Sequence, residues 1–185
     1  MIDYAIPRVI VADPPWRFGD ALPGPGRGAS KHYSTMSLSD IIGFAANCPP
    51  FSRALINGFA TPQLLFLWRV ASMVPEALDV IGAWGFIAKA ELVWVKTTDD
   101  GQKLSFGMGH YTRNCHETCI IATRGKVKVR SKSVRSVFEA PVGRTHSKKP
   151  DRFYEIVEEL SEGPYLELFA RRRRAGWTCL GDELE

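Results

Sequence analysis

Apolar residues in this chain fall in short runs divided by polar, glycine- and proline-rich stretches, and the spacing within each run predicts what it becomes. Residues 8–12 (RVIVA) form a continuous β-rich run long enough for one buried strand. Residues 63–70 (QLLFLWRV) read the same way, and 86–96, 117–125, 136–140 and 165–171 supply further strands. Helical spacing marks 37–47, opened by the capping residue Ser37. It also marks 71–85, where Pro75 suits a first turn, and 149–163, which stops at Gly163. The Gly/Pro-rich stretch 21–36 is predicted to be a mobile loop, and 97–114 a second long one. Strands alternating with helices predict an α/β sandwich around a mostly parallel sheet, whose ligands bind beyond the carboxyl ends of the strands. Asp13, Lys149 and the run 171–174 follow strands directly or after a short excursion, so one sheet edge can gather them.

Length and composition narrow the picture. The 185 residues suit a single domain over 1–185, with no separate target-recognition domain. Apolar residues make up 45% and charged ones 24%, ordinary for a soluble globular protein. No run approaches the roughly 20 apolar residues needed to cross a bilayer, and the first residues lack a signal-peptide pattern. No membrane partner and a cytoplasmic location are therefore expected. The net charge is only +4, but basic residues concentrate in 124–135, 144–149 and 171–174. Such clusters fit a polyanionic partner or, equally, a solvated face.

Two candidate chemistries lose ground on spacing. The glycine-rich loop lacks the phosphate-loop pattern. Cys115, His116 and Cys119 carry zinc-type donors, but a structural site takes four ligands and only one pair is present. Together with Cys48 and Cys179, these cysteines are expected to be reduced and packed, and no metal is expected.

The stretch 11–19 (VADPPWRFG) carries more. Pro14 biases Asp13 toward an extended backbone, and Pro14 and Pro15 fix two successive φ angles without contributing a donor. The sequence thus predicts a rigid corner offering a carboxylate, bare carbonyls and the flat face of Trp16, with no local donor competing. A planar exocyclic amine on a nucleobase suits such a corner. Its N–H groups need acceptors and its ring needs a stacking surface, while acceptors outside the ring plane favour attack by the nitrogen and stabilise developing positive charge.

The ordered pieces ADPPW, HYSTMS, LLFLW, ELVWVKT, GMGHYTRNCHETCIIATRG, HSKKPDRFYEIVEEL and YLELFARRRRAGWTCLGDE, spanning about residues 8–183, resemble one family. It is the DPPW-type adenine-N6 methyltransferases, which include the seventy-kilodalton catalytic subunit of the mRNA adenosine methyltransferase and bacterial and phage DNA-methylating relatives. The resemblance implies a Rossmann-like S-adenosylmethionine-dependent methyltransferase fold with permuted motif order, the catalytic corner preceding the cofactor-binding elements. It implies catalytic roles for Asp13, Pro14, Pro15 and Trp16, with Tyr33 close to the target base. By position, Asp13, Lys149, Arg171, Arg173, Arg174, Asp182 and Glu183 would contact S-adenosylmethionine. Lys149 is expected as a loop-exposed cation, and Glu91 and Glu117 as structural partners of these cations. Asp182 stands where the family usually has asparagine, so it can only accept, and ribose hydroxyls can donate to it.

The implied activity is methyl transfer to N6 of adenine in nucleic acid. DNA is favoured over RNA because compact members of the family are often microbial DNA enzymes. The base must leave any duplex stack to reach Asp13. A non-catalytic nucleic-acid-binding subunit of the same fold is the alternative, opposed by the intact DPPW. A homodimer or a hetero-partner is compatible with either.

Overall fold

The computed structural model describes residues 5–17, 35–57, 61–107, 111–143, 148–182 and 184. Its strands are β1 (Val9–Ala12), β2 (Gln63–Arg69), β3 (Ile87–Thr97), β4 (His116–Arg124), β5 (Val137–Pro141), β6 (Tyr165–Leu168) and β7 (Trp177–Leu180). The helices are α1 (Leu38–Asn47), α2 (Pro49–Asn57), α3 (Val74–Ala83) and α4 (Asp151–Leu160). None of these helices is long and apolar enough to cross a membrane.

The strands form one sheet in the order β5–β3–β4–β2–β1–β6–β7. All run parallel except β4, which is antiparallel to both β2 and β3. β1 lies in the interior of the sheet, between β2 and β6. Every residue of β1 is buried, which explains an apolar run without polar alternation.

The period of two still sorts its side chains. Ile10 and Ala12, with Leu65 and Leu67 of β2, join a core roofed by α1 and α3 through Ile41, Ala77, Val80 and Trp84. Val9 and Val11, with Leu64, Phe66 and Trp68, join the opposite core, closed by Phe153, Ile156 and Val157 of α4. Each large side chain buried this way contributes roughly 1.5–3 kcal/mol. The result is a three-layer α/β/α sandwich.

Parallel direction puts the carboxyl ends of β1, β2, β3, β5, β6 and β7 on one edge, and reversal of β4 adds its amino end, His116 and Glu117. Several boundaries differ from the sequence expectation. The strand expected over 165–171 ends at Leu168, because Phe169 turns to φ 61°. The helix expected to run to Gly163 ends at Leu160, with extended Ser161 as its cap. Two elements escaped prediction: α2, which opens on Pro49 and Pro50, and the four-residue β7 behind the arginine run. The Ser37 cap is realised as a reciprocal box with Asp40, the side chain of each accepting from the other's backbone N–H.

Candidate active site

β1 delivers Asp13 to the edge, and the corner behind it is pinned from three sides. The Trp16 N–H donates to Pro14 O at 2.8 Å, Met36 N–H donates to Pro15 O at 2.9 Å, and the Trp16 indole N–H donates to Trp68 O at 2.9 Å. Two expectations are corrected here. The proline carbonyls are not bare, since each already accepts one backbone N–H. Trp16 is only 5% exposed and packs into the core, so it anchors the corner more than it offers a platform.

The corner itself brings no competing side-chain donor, but a distant one reaches it. Lys149, expected as exposed, has a side chain only 9% exposed and donates to Asp13 Oδ2 at 2.6 Å. It also meets Glu117 Oε2 at 3.2 Å, and Lys96 meets Glu117 Oε1 at 2.6 Å. Its ammonium lies 5.0 Å from the centre of the Trp68 ring. Burial alone would pull the Lys149 ammonium down, but Asp13 and Glu117 outweigh it and raise it above its ordinary value. Burial would likewise raise Glu117, but Lys149 and Lys96 prevail and hold its carboxyl at about 2. Lys149 therefore stays charged and fixes one Asp13 oxygen, while Oδ1 has no hydrogen-bond partner among the described residues.

Two cavities meet at this carboxylate. One, of about 350 Å³, is walled by Asp13, Pro14, Arg69, His116, Glu117 and Lys149, and Trp16, Lys96 and Arg171 also reach it. The other, of about 380 Å³, is apolar and lined by Phe44, Phe169 and Leu180, with Arg171, Gly181 and Asp182 at its polar end. Both share Asp13, Pro15 and Arg171, and each has room for a nucleoside-sized group.

Phe169 earns its place at a conformational cost. Its left-handed φ of 61° is unusual for a bulky residue, and the ring it presents sits 4.5 Å from that of Phe44. At Gly181 a Cβ would collide with Ala170 O, so only glycine allows Ala170 N–H to reach Leu180 O at 2.9 Å and bare backbone to line the cavity.

The implied cofactor contacts divide. Arg171 and Asp182 line the apolar cavity, and Lys149 the polar one. Arg173 is exposed and lines neither. Arg174, with Arg172, instead donates to Asp151 at the first turn of α4 and lies 4.0 Å from the Tyr154 ring centre. The hydrogen bond from Arg172, foremost, holds the Asp151 carboxyl below its ordinary value. Tyr33 and Glu183 lie outside the described residues.

Glu117 does partner Lys149, as expected, whereas Glu91 pairs with Arg69 at 3.0 Å. Lys96, His116, Phe44 and Phe169 were not foreseen; the only sequence signal was their position at strand ends or in the helix after the loop. His116 opens on the polar cavity from the amino end of β4, whereas Cys119 lies further along the strand and is buried. Among the described residues no group of three or more metal-type side chains gathers.

An interior β1 bearing the acidic corner, cavities at the carboxyl edge and a β4 of reversed direction make this a Rossmann-like methyltransferase fold. Within that class the chain belongs to the MT-A70 family, whose model matches residues 7–183. It is 30% identical over 181 residues to the N(6)-adenosine-methyltransferase MT-A70-like protein of Arabidopsis thaliana, covering 95% of this chain and 23% of that protein. Similarity to the human N(6)-adenosine-methyltransferase catalytic subunit METTL3 is 27% over 181 residues, 96% of this chain and 28% of that one. The N6-methyladenosine RNA methyltransferase MTA1 of Cryphonectria parasitica is 28% identical over 185 residues, 95% of this chain and 51% of that one. The chain thus spans between about a quarter and a half of the length of these relatives.

Proposed function

We propose that this protein transfers a methyl group from S-adenosylmethionine to N6 of adenine in nucleic acid. The observation that carries this reading is the position of Asp13 at the seam of two cavities, with one oxygen held by Lys149 and the other without a hydrogen-bond partner among the described residues. The residues of the apolar cavity fit the cofactor: Phe169 and Phe44 offer aromatic surface to its adenine, Asp182 accepts from ribose hydroxyls, and Gly181 leaves backbone accessible. S-adenosylmethionine supplies the electrophilic methyl group.

Asp13 does the rest from the polar side. Its Oδ1 accepts an N–H of the exocyclic amine and draws the nitrogen lone pair out of conjugation with the ring. It then opposes the positive charge that N6 acquires as the N–C bond forms. The methylated nitrogen is acidic enough to release its proton to solvent, so no strong base is needed. Lys149 positions the carboxylate, and Lys96 and Glu117 position Lys149.

The sequence reading leaned toward DNA. The relatives' names speak of adenosine and, for the fungal protein, of RNA, and none of the three supports DNA. We therefore place RNA first. Labelled S-adenosylmethionine offered with separate single-stranded RNA and DNA pools tests both points: label is expected on N6 of adenine, more in RNA. Absence of transfer to either pool overturns the catalytic reading, and preferential transfer to DNA overturns the substrate order alone.

A further inference from the structure

Most of the described cations on the catalytic edge are already engaged, while Arg173 there is exposed. Lys96 and Lys149 hold Glu117 and Asp13, Arg69 holds Glu91, and Arg172 and Arg174 hold Asp151. A nucleic acid whose adenine reaches Asp13 can therefore gain further phosphate neutralisation elsewhere. The segment joining β4 to β5 has the opposite character. No acid occurs between Glu117 and Glu139, and Lys126, Lys128, Arg130, Lys132 and Arg135 are all exposed. Only Arg130 meets an acid among the described residues. That acid is Glu162 at 3.7 Å, and with both side chains more than half exposed the pair is worth little.

This segment is a mounted strap. Val127 and Val134 pack against the core beneath α4 near its two ends. In its middle, Arg130 N–H donates to Leu160 O at 2.8 Å and Ser131 Oγ to Glu159 at 3.2 Å. Because β4 runs against its neighbours, the strap begins at the edge opposite Asp13. Arg130 sits at the far end of α4, whose ten residues span about 15 Å from the Lys149 side.

We propose that residues 126–135 are a second, remote contact for the sugar-phosphate backbone of the nucleic acid that carries the target adenine, an inference that rests on the proposed function. The composition favours this occupant over a protein. A protein interface needs a desolvated apolar or aromatic anchor, and the strap exposes only Val129 among large apolar side chains. Cations interleaved with Ser131, Ser133 and Ser136 hydroxyls are what phosphates take, without regard to base. A gap of about 15 Å corresponds to about four phosphates at the 3.4 Å axial repeat, so a trinucleotide whose adenine is seated at Asp13 cannot reach the strap.

The test is the variant Lys126→Ser/Lys128→Ser/Lys132→Ser/Arg135→Ser, which leaves the two anchoring valines in place. Anisotropy is read with a single-stranded RNA of about 25 nucleotides and a fragment of about 3 with the adenine at its centre, at several salt concentrations. The variant is expected to lose on the order of tenfold or more in affinity for the long RNA and less than about twofold for the short one. Its salt slope on the long RNA should fall by roughly 3, from four phosphate contacts at 0.7–0.9 each.

Unchanged affinity and slope, or equal losses at both lengths, overturns the proposal; so does displacement of the long RNA from wild type by polyglutamate at equal charge. Photocrosslinking of wild type gives a readout independent of the variant's folding. Adducts within 126–135 are expected, and adducts confined to the catalytic edge contradict the strap. Loss of methyl transfer to every substrate, with strap-dependent binding retained, would break the catalytic reading and leave the strap standing.

Discussion

Two ion clusters flank Asp13, built from the same kinds of group and differing in burial. In one, Lys96 and Lys149 bracket Glu117, and Lys149 reaches on to Asp13; the Lys149 side chain is 9% exposed. In the other, Arg172 and Arg174 share Asp151, whose carboxylate is 65% exposed. Water screens the second and is largely excluded from the first. The first cluster therefore shifts titration strongly and fixes the geometry of the Asp13 carboxylate. The first cluster has four charges drawn from across the chain and the second three from residues 151–174, but depth is what sets their strength.

That comparison can be broken most forcefully at Lys149. Lys149→Ala strands Asp13 and Glu117 without their shared cation in a mostly buried site. Breaking a buried pair costs about 3–5 kcal/mol, and the partial exposure of the two acids places this loss at the lower end, about 3 kcal/mol. Methyl transfer should fall by about 100-fold as Asp13 loses its orientation. Urea unfolding and single-turnover transfer check both, and a variant of unchanged stability would mean the cluster is as solvated as the one on Asp151.

The effect of pH is smaller and carries a definite sign. Glu117 is held at about 2 in the folded protein, below its ordinary 4.5, so its contribution is complete above about 4.5 and lost as pH falls toward 2. Linkage caps this at about 3 kcal/mol, and with the carboxyl nearly a third open to solvent the expected size is on the order of 1 kcal/mol. The stability difference between wild type and Glu117→Gln should therefore shrink between pH 5 and pH 2.5. A constant difference across that range contradicts the assignment.

Arg174→Ala should do least. An ion pair to an exposed carboxylate is worth less than about 1 kcal/mol, and Arg174 lines neither cavity. Calorimetric titration should find S-adenosylmethionine affinity within about fivefold of wild type, since 1 kcal/mol is a factor of about five. A tenfold loss would show that the residue turns from Asp151 toward the cofactor.

Much of the fold was legible because burial leaves a period. The runs of β1 and β2 announce strands covered on both faces, and Ser37 with Asp40 announces a capped helix. The opening prolines of α2 and the arginine run before β7 hid those elements, because their stability comes from tertiary packing more than from local pattern. At the site, Asp13 and Lys149 were legible as chemistry, but their 2.6 Å contact was not, since 136 residues separate them. Trp16 was read as a stacking face and is a buried anchor. The cause is Trp68, whose carbonyl captures its indole N–H across the sheet. Arg174 was read as a cofactor contact and is turned toward Asp151, a partner that only the docking of α4 supplies.

The central claim is that Asp13 acts on the amine in the transition state. Its most direct test is single-turnover methylation of an adenine-containing RNA by wild type and Asp13→Ala, both saturated with S-adenosylmethionine, with circular dichroism as a control for folding. Loss of one oriented group at developing charge predicts a fall of about 100- to 1,000-fold in rate with the fold retained. A folded variant that transfers methyl within a few-fold of wild type would contradict the account, leaving the acidic corner a turn and nothing more.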